Sequence, residues 1–392
     1  MQFEQFIFLK SKTSDHNDAV KNDTESFLNE LDYQNIRFLG KIFFIESGGT
    51  EEIFKSIYKN YKEPYYFIAT NANNSLPASL EIASFLKQQN LSYFIFHGKP
   101  SEVRNQIINF DPKYLSFNYS FKDNNILKGE KYGVIGRPSD WLIASNVNYS
   151  LAMNKLKISF VDISFDEFKS LLDEIPERES SYELLSNETI SPYEIRKALK
   201  IYDAIKVLVL KYHLDGITIR CFDLLDTYKS TSCLALAILN SEGITSACEG
   251  DIPSLISMRI IQKLFDKPSF QANPSYIDKE HNYLYLAHCT VPLNMVKDYK
   301  LDTHFESGIG VGIKGELPIN KDVTIFKVDS SLLKCSIYSG KIEENLHKSN
   351  LCRTQIKVRL NERVEELLSS PCGNHLLVFF GDYKDKLIKL IG

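Results

Sequence analysis

The chain has 392 residues, 43% hydrophobic and 12% aromatic, which is enough to bury more than one core and favours two or three domains. Its 46 basic and 50 acidic residues leave a net charge of -4 with no run of Lys or Arg, which argues against nucleic acid as a partner. No apolar run approaches the ~20 residues of a membrane span, and the opening "MQFEQFIFLK" lacks a basic leader and a cleavage site, so a cytoplasmic protein with no membrane partner is expected.

In chain order, short β-rich runs alternate with helical segments: "QFIFL", a helix near 17 to 32, "KIFFIES", a helix after "GGTEE", "YYFIAT", the helix "LPASLEIASFLKQQ", and "LSYFIF". That is the rhythm of a parallel sheet with crossover helices. The polar stretch "FKDNNILKGEK" reads as a boundary, after which the rhythm restarts with "YGVIG", "KLKISFVDI" and the helix "DEFKSLLDEI". The next helix is the best signed. Ser191 is its N-cap, Pro192 opens it, Glu194 completes a capping box, and Gly216 stops it, with Ile195, Leu199, Tyr202, Ile205 and Leu208 on one face.

Strand "GITIRCF", helix "SCLALAILNSEG", strand "ITSAC" and helix "PSLISMRIIQKLF" then form a βαβα unit. From about residue 268 the texture changes to β-rich runs, "YLYLAHC", "VTIFKV", "LKCSIYSGKI" and "CRTQIKVRL", which suit a barrel-like domain. A helix "NERVEELLSS", the strand "HLLVFFGDY" and a terminal helix close the chain. The expected fold is α/β: two Rossmann-like parallel-sheet domains, 1 to 127 and 128 to 267, followed by a β-barrel-like C-terminal domain, 268 to 392.

The seven cysteines are odd in number and lack C-x-x-C spacing, so neither a disulfide framework nor a zinc knuckle is expected. A literal G-x-G-x-x-G at Gly310, Gly312 and Gly315 is followed by Pro318 and β-like sequence instead of a helix. It reads as a glycine-rich loop of the β domain, and a nicotinamide-dependent dehydrogenase is not indicated. "ESGGTEE" could offer free N–H groups to an anion or a sugar, or be an ordinary tight turn. "TNANNSLPAS" and "GRPSDWLIAS" are further polar loops after strands, and the second holds Arg137, Asp140 and Trp141, a cluster suited to a sugar or to a plain Arg–Asp pair beside a packed ring.

Most informative is "ITSACEGDIPSLISMRII". Asp251 before a helix start is good capping chemistry. Glu249 is not needed for a cap; it ends a strand at the carboxyl edge of a parallel sheet, where open α/β sheets place ligands, and Gly250 lets the chain turn. His288, His304 beside Glu306, and His375 lie at strand boundaries. A Glu/His set without thiolate pairs suits a hard or borderline divalent ion, Mn²⁺ or Mg²⁺.

The fragments "GVIGRPSDWLIAS", "CFDLLDTYKSTSCLALAILNSEGITSACEGDIPSLISM", "ANPSYID", "LAHCTVP", "HFESGIGVG" and "CRTQIKV", in this order and spacing, resemble the L-fucose isomerase-like family, relatives of L-fucose and L-arabinose isomerases. The likeness runs from "GGTEE" to the C-terminus. It implies a cytoplasmic homo-oligomer, a trimer or hexamer, that interconverts an aldose and a ketose with a divalent metal, commonly Mn²⁺ with Mg²⁺ or Co²⁺ as alternatives. The active site would lie between the last two domains. Carried over by residue, the resemblance implies Glu249 as a metal ligand that also acts as acid/base, His375 as a metal ligand and His288 as a histidine at the metal. The chemistry of the reaction then gives Glu249, Asn273 and His375 as the expected ligand set and Glu249, assisted by Asp251, with His288 as the expected catalytic set. Trp141, His304, Glu306 and Arg353 are the expected contacts to the hydroxyls of a monosaccharide.

At Asn273 the family pattern has a second acid. An amide oxygen can ligate an ion but cannot act as a base, so the proton between the two substrate oxygens is left to a metal-bound water or to His288. The rival expectation is a non-catalytic sugar-binding or regulatory protein on the same fold, and Asn273 is the residue that favours it.

Overall fold

The computed structural model describes residues 5 to 11, 17 to 38, 40 to 112, 117 to 176 and 189 to 391. Four parallel strands, β1 (Phe6–Leu9), β2 (Ile42–Ile45), β3 (Tyr65–Ala69) and β4 (Tyr93–His97), form the first sheet in the order β1-β2-β3-β4. Apolar side chains cover both of its faces, as a sheet buried on two sides requires. Phe27, Leu31 and Val103 pack on one face with Phe44 and Ile68; Phe54, Leu76 and Ile82 pack on the other with Phe43 and Phe67.

Helix Ser75–Gln88 is buried on nearly every side because it lies between this sheet and the barrel described below. Its Glu81 is fully buried, and the carboxylate accepts hydrogen bonds from the Ala144 N–H (2.7 Å), the Ser145 hydroxyl (3.0 Å) and the Asn374 N–H (3.1 Å). One buried acid thus ties the helix to two remote segments.

After a two-residue strand β5 (Tyr119–Ser120) come β6 (Lys131–Ile135), β7 (Ser159–Ile163), β8 (Gly216–Ile219) and β9 (Thr245–Ala247), a second parallel sheet in the order β7-β6-β8-β9. That order is the start of the doubly wound pattern, whereas the first sheet runs in simple succession. Helix Pro192–Tyr212 starts where its capping signals say, with the Ser191 side chain accepting from the Glu194 N–H. It stops earlier than Gly216: His213 takes the left-handed cap at φ 52, and Gly216 opens β8.

Six antiparallel strands make the barrel: β10 (Phe270–Asp278), β11 (Tyr283–His288), β14 (Asp322–Val328), β15 (Lys334–Asn345), β16 (Thr354–Leu360) and β17 (Leu376–Phe380). They run β14-β17-β10-β11-β16-β15, and β14 pairs with β15 to close the ring. Strands β12 (Asp298–Asp302) and β13 (Gly312–Glu316) form a separate hairpin that absorbs the G-x-G-x-x-G stretch, as expected of a β-domain loop. β5 pairs with β15, so the end of the first sequence segment is woven into the barrel. The expected helix over 361 to 370 shrinks to Glu366–Ser369. All seven cysteines are free and buried, and among the described residues no helix is long and apolar enough to cross a membrane.

Candidate metal centre and sugar pocket

Three neighbouring barrel strands end at the carboxyl edge of the second sheet. In the order β17-β10-β11, His375 directly precedes β17, Asn273 sits in β10 opposite Ala287, and His288 ends β11. Neighbouring strands are only about 4.8 Å apart, so residues at one end of three of them share a small volume. Glu249 arrives from the other side, two residues past Ala247 at the end of β9.

The tip that carries Glu249 is tightly specified. Glu249 itself has φ +65 and Gly250 φ +73, and a Cβ on Gly250 would come within 2.6 Å of the Arg137 carbonyl oxygen. Only glycine fits there. Glu249 has no such excuse: a left-handed backbone costs a residue of this type about 1–2 kcal/mol and is retained where the site demands it. Three backbone bonds hold the strain, from the Ser139 N–H to the Glu249 carbonyl (2.9 Å), from the Gly250 N–H to Ile219 (2.9 Å) and from the Asp251 N–H to Cys248 (3.1 Å).

Among the described residues, Glu249, His288 and His375 offer ligand atoms that all lie within 4.8 Å of one another. Glu249 Oε1 is 3.7 Å from His288 Nε2 and 3.5 Å from His375 Nε2, while Glu249 Oε2 accepts a hydrogen bond from the Trp141 indole at 2.7 Å. The outer nitrogens of both imidazoles are fixed: His375 Nδ1 faces Asp251 Oδ2 at 2.8 Å, and His288 Nδ1 faces the Thr290 hydroxyl at 3.0 Å. Such partners set the ring orientation of metal-binding histidines. His375 Nε2 and Asn273 Oδ1 are buried without a hydrogen-bond partner. Orphaned polar atoms beside a carboxylate are costly unless something binds them, and the donor set of one carboxylate, two imidazoles and an amide oxygen fits a divalent metal ion.

Burial would raise the Glu249 carboxyl, but His375 and His288 overrule it and hold it well below the ordinary 4.5. Burial would lower the His375 imidazolium, but Glu249 and Asp251 outweigh it and bring it up to about 9. Asp251 is sealed from solvent. Its carboxylate caps helix Ile252–Phe265 through the Ser254 N–H (2.7 Å) and pairs with the equally buried Lys327, 2.8 and 3.0 Å away. It therefore orients His375 and does not face the pocket.

A narrow cavity of about 30 Å³ opens on this cluster, room for an ion or a water or two in the structure as it stands. Of the expected site residues, Glu249, Asn273, His288, His304 and Glu306 line it, the last two from the loop between β12 and β13. Trp141 stands behind Glu249, and Arg353 is engaged elsewhere, donating to the Thr303 carbonyl (2.6 Å) and hydroxyl (3.0 Å). Phe222 bridges the Trp141 and His304 rings.

Two contributors escaped sequence reading. Lys327 lies inside the ordinary strand "VTIFKV", with nothing to mark it as buried. Asn74 lies in the quoted loop "TNANNSLPAS"; it lines the pocket and donates a hydrogen bond to Glu306 Oε1. Its signal was the position itself, a polar residue between a strand end and a helix start.

No family model matches the chain. Its sequence is similar to sulfoquinovose isomerases. Over 226 residues it is 24% identical to that of Clostridium sp. (strain MSTE9), covering 54% of this chain and 50% of the relative. Over 225 residues it is 23% identical to that of Alkalicoccus urumqiensis, covering 55% and 49%, and over 277 residues 22% identical to that of Priestia aryabhattai, covering 66% and 62%. The chain matches about half the length of the first two of these curated relatives.

Proposed function

We propose that the protein is a metal-dependent aldose–ketose isomerase of the L-fucose isomerase-like kind, with the sugar unassigned. The observation that carries this reading is the buried cluster of Glu249, His288 and His375 with the unpartnered amide oxygen of Asn273 beside it. The sulfoquinovose isomerases similar to this chain support the same class of reaction. The division at 127 and 267 into two α/β domains and a barrel domain belongs to the proposal, as do a cytoplasmic location and a trimeric or hexameric assembly.

Glu249, Asn273 and His375 are the proposed ligands, with His288 beside them, and Mn²⁺ is the proposed ion, ahead of Mg²⁺ or Co²⁺. A bound divalent ion would polarise the two oxygens at C1 and C2 and make the C2–H more acidic. Glu249 takes the C2 proton and returns it to C1, with Trp141 holding its second oxygen in place. Asp251 acts through His375 by fixing the imidazole, and the buried walls exclude water that would quench the developing charge. Among the described residues lining the pocket there is no Lys or Arg, and Glu306 adds a carboxyl, which favours a neutral sugar over an anionic one such as sulfoquinovose.

The test is metal analysis of the purified protein followed by an isomerisation panel of neutral aldoses and sulfoquinovose with Mn²⁺ added. The expected result is a bound divalent ion and equilibration of at least one aldose with its ketose. Glu249→Gln should abolish turnover while leaving the fold intact. A protein that binds sugars and leaves all of them unchanged would instead be the sensor that Asn273 favours.

A further inference from the structure

We infer that Glu306 is the second proton-carrying group of the site, moving a proton between the two substrate oxygens while Glu249 moves one between the two carbons. The inference rests on the isomerase reading above. The need for such a group arises at Asn273, whose amide is neither a usable acid nor a usable base at neutral pH. Apart from Glu249, Glu306 is the only carboxylic acid among the described residues that line the pocket. His288 is less suited to the task, since its Nδ1 is engaged by Thr290 and its Nε2 is turned toward Glu249.

Glu306 is held as a working group would be. Its Oε1 accepts from Asn74 Nδ2, and no other hydrogen bond to its carboxylate is found among the described residues. Asn74 is itself buried, in left-handed backbone (φ 57) at the start of helix Ser75–Gln88. A Cβ on Gly48 would stand 3.1 Å from the Asn74 Cβ, so the turn after β2 leaves this side chain just enough room. The carboxyl edge of the first sheet is thereby recruited to a pocket otherwise built by the second sheet and the barrel.

Burial raises the Glu306 carboxyl, the like charge of Glu249 raises it further and Asn74 lowers it somewhat, leaving it at about 7. A group that must both take and give a proton works best when both forms are populated at working pH. The titratable groups facing it are Glu249 from the tip after β9, Cys289 just past β11, Cys352 just before β16, and Glu51 from helix Glu51–Ile57.

The step balances without a co-reactant. In the aldose-to-ketose direction Glu249 removes the C2 proton and the C–H electron pair becomes the C1–C2 double bond. The ionised Glu306 takes the proton from O2 and delivers it to O1. Glu249 then returns its proton to C1 as the C2–O2 bond becomes the ketone. Both carboxylates end as they began.

The experiment compares wild type, Glu306→Gln, Glu306→Asp and Asn74→Ala with Mn²⁺ supplied. Glu306→Gln should lower kcat by about 10²-fold or more with KM little changed, and should erase the acid limb of the wild-type pH profile. In D2O it should still place deuterium at C2 of the recovered aldose, because Glu249 is untouched. Glu306→Asp should restore part of the rate. Asn74→Ala should move the limb to higher pH, since the lost hydrogen bond favoured the ionised form. Binding of L-arabinitol and L-fucitol, read by the fluorescence of the single tryptophan Trp141, should be the same in wild type and Glu306→Gln.

Wild-type kcat in Glu306→Gln overturns the assignment. So does an unchanged kcat with a raised KM, or loss of alditol binding in step with loss of rate. A wild-type protein that converts no sugar overturns the isomerase reading itself and this assignment with it, an outcome distinguishable from the others because it does not involve the variants.

Discussion

Replacing Lys327 by Met, Asp251 by Asn, and both together measures what the buried ion pair beneath the candidate metal centre contributes. Neither side chain reaches solvent, and Lys327 Nζ lies 2.8 and 3.0 Å from the two Asp251 oxygens. At an effective dielectric of ~20, unit charges about 3 Å apart attract by roughly 5–6 kcal/mol, and the cost of drying both ions cancels most of it. The intact pair is therefore worth little net, while either half alone is expensive. Each single variant should lose about 3–5 kcal/mol. The double variant should lose far less than the sum, since Met and Asn leave no stranded charge and Asn still caps the helix.

The assay is urea unfolding of the four proteins at pH 7, followed by circular dichroism. Burial would raise the Asp251 carboxyl, but Lys327 and His375 hold it well below its ordinary 3.8. Its contribution is thus complete above pH 3.8 and lost as pH falls through the depressed folded value, so pH 7 lies on the plateau. Losses that add within about 0.5 kcal/mol would refute the reasoning, because independent sites add and a buried pair cannot.

Three further predictions concern the candidate metal centre. The metal-free His375 imidazolium, at about 9 against an ordinary 6.5, gives stability that is full below pH 6.5 and lost as pH rises through about 9. A metal needs the neutral ring, so Mn²⁺ uptake at pH 7 should release about one proton, and affinity should climb about tenfold per pH unit toward 9; calorimetry in buffers of different ionisation enthalpy checks this. Asn273→Asp should lower the melting temperature of the metal-free protein, since it adds a like charge near Glu249, and tighten Mn²⁺ binding roughly tenfold; equal melting temperatures without metal would contradict it. Trp141→Phe removes the indole donor to Glu249 Oε2 and should weaken metal binding about 10- to 100-fold by titration, with the secondary structure unchanged.

Local chemistry made much of this molecule legible. Pro192 behind Ser191 fixes a helix start in any context, and the Glu–Gly–Asp tip announces itself because a strand, a glycine and a helix cap leave one acid unexplained. What sequence could not supply were meetings between distant segments. Lys327 follows strand alternation like any other residue, and only the closure of β14 onto the helix behind Asp251 makes it an ion-pair partner. Nothing in "LPASLEIASFLKQQ" marks Glu81 as buried; only the enclosure of its helix between sheet and barrel makes it so. Gly216 misled because a histidine took the left-handed cap three residues earlier. Asn74 and Glu306 stand 232 residues apart, and no periodicity connects them.

The left-handed backbone at Glu249 has a use beyond this molecule. Selection for folding alone would favour Gly or Asn there, either of which relieves the strain without disturbing the turn. Only a task that needs a carboxylate at that point keeps the glutamate. Across related chains, that single position should therefore sort working sites from retired ones: a chain that has kept the fold but given up the chemistry will have relaxed to Gly or Asn, and the change can be read without an assay.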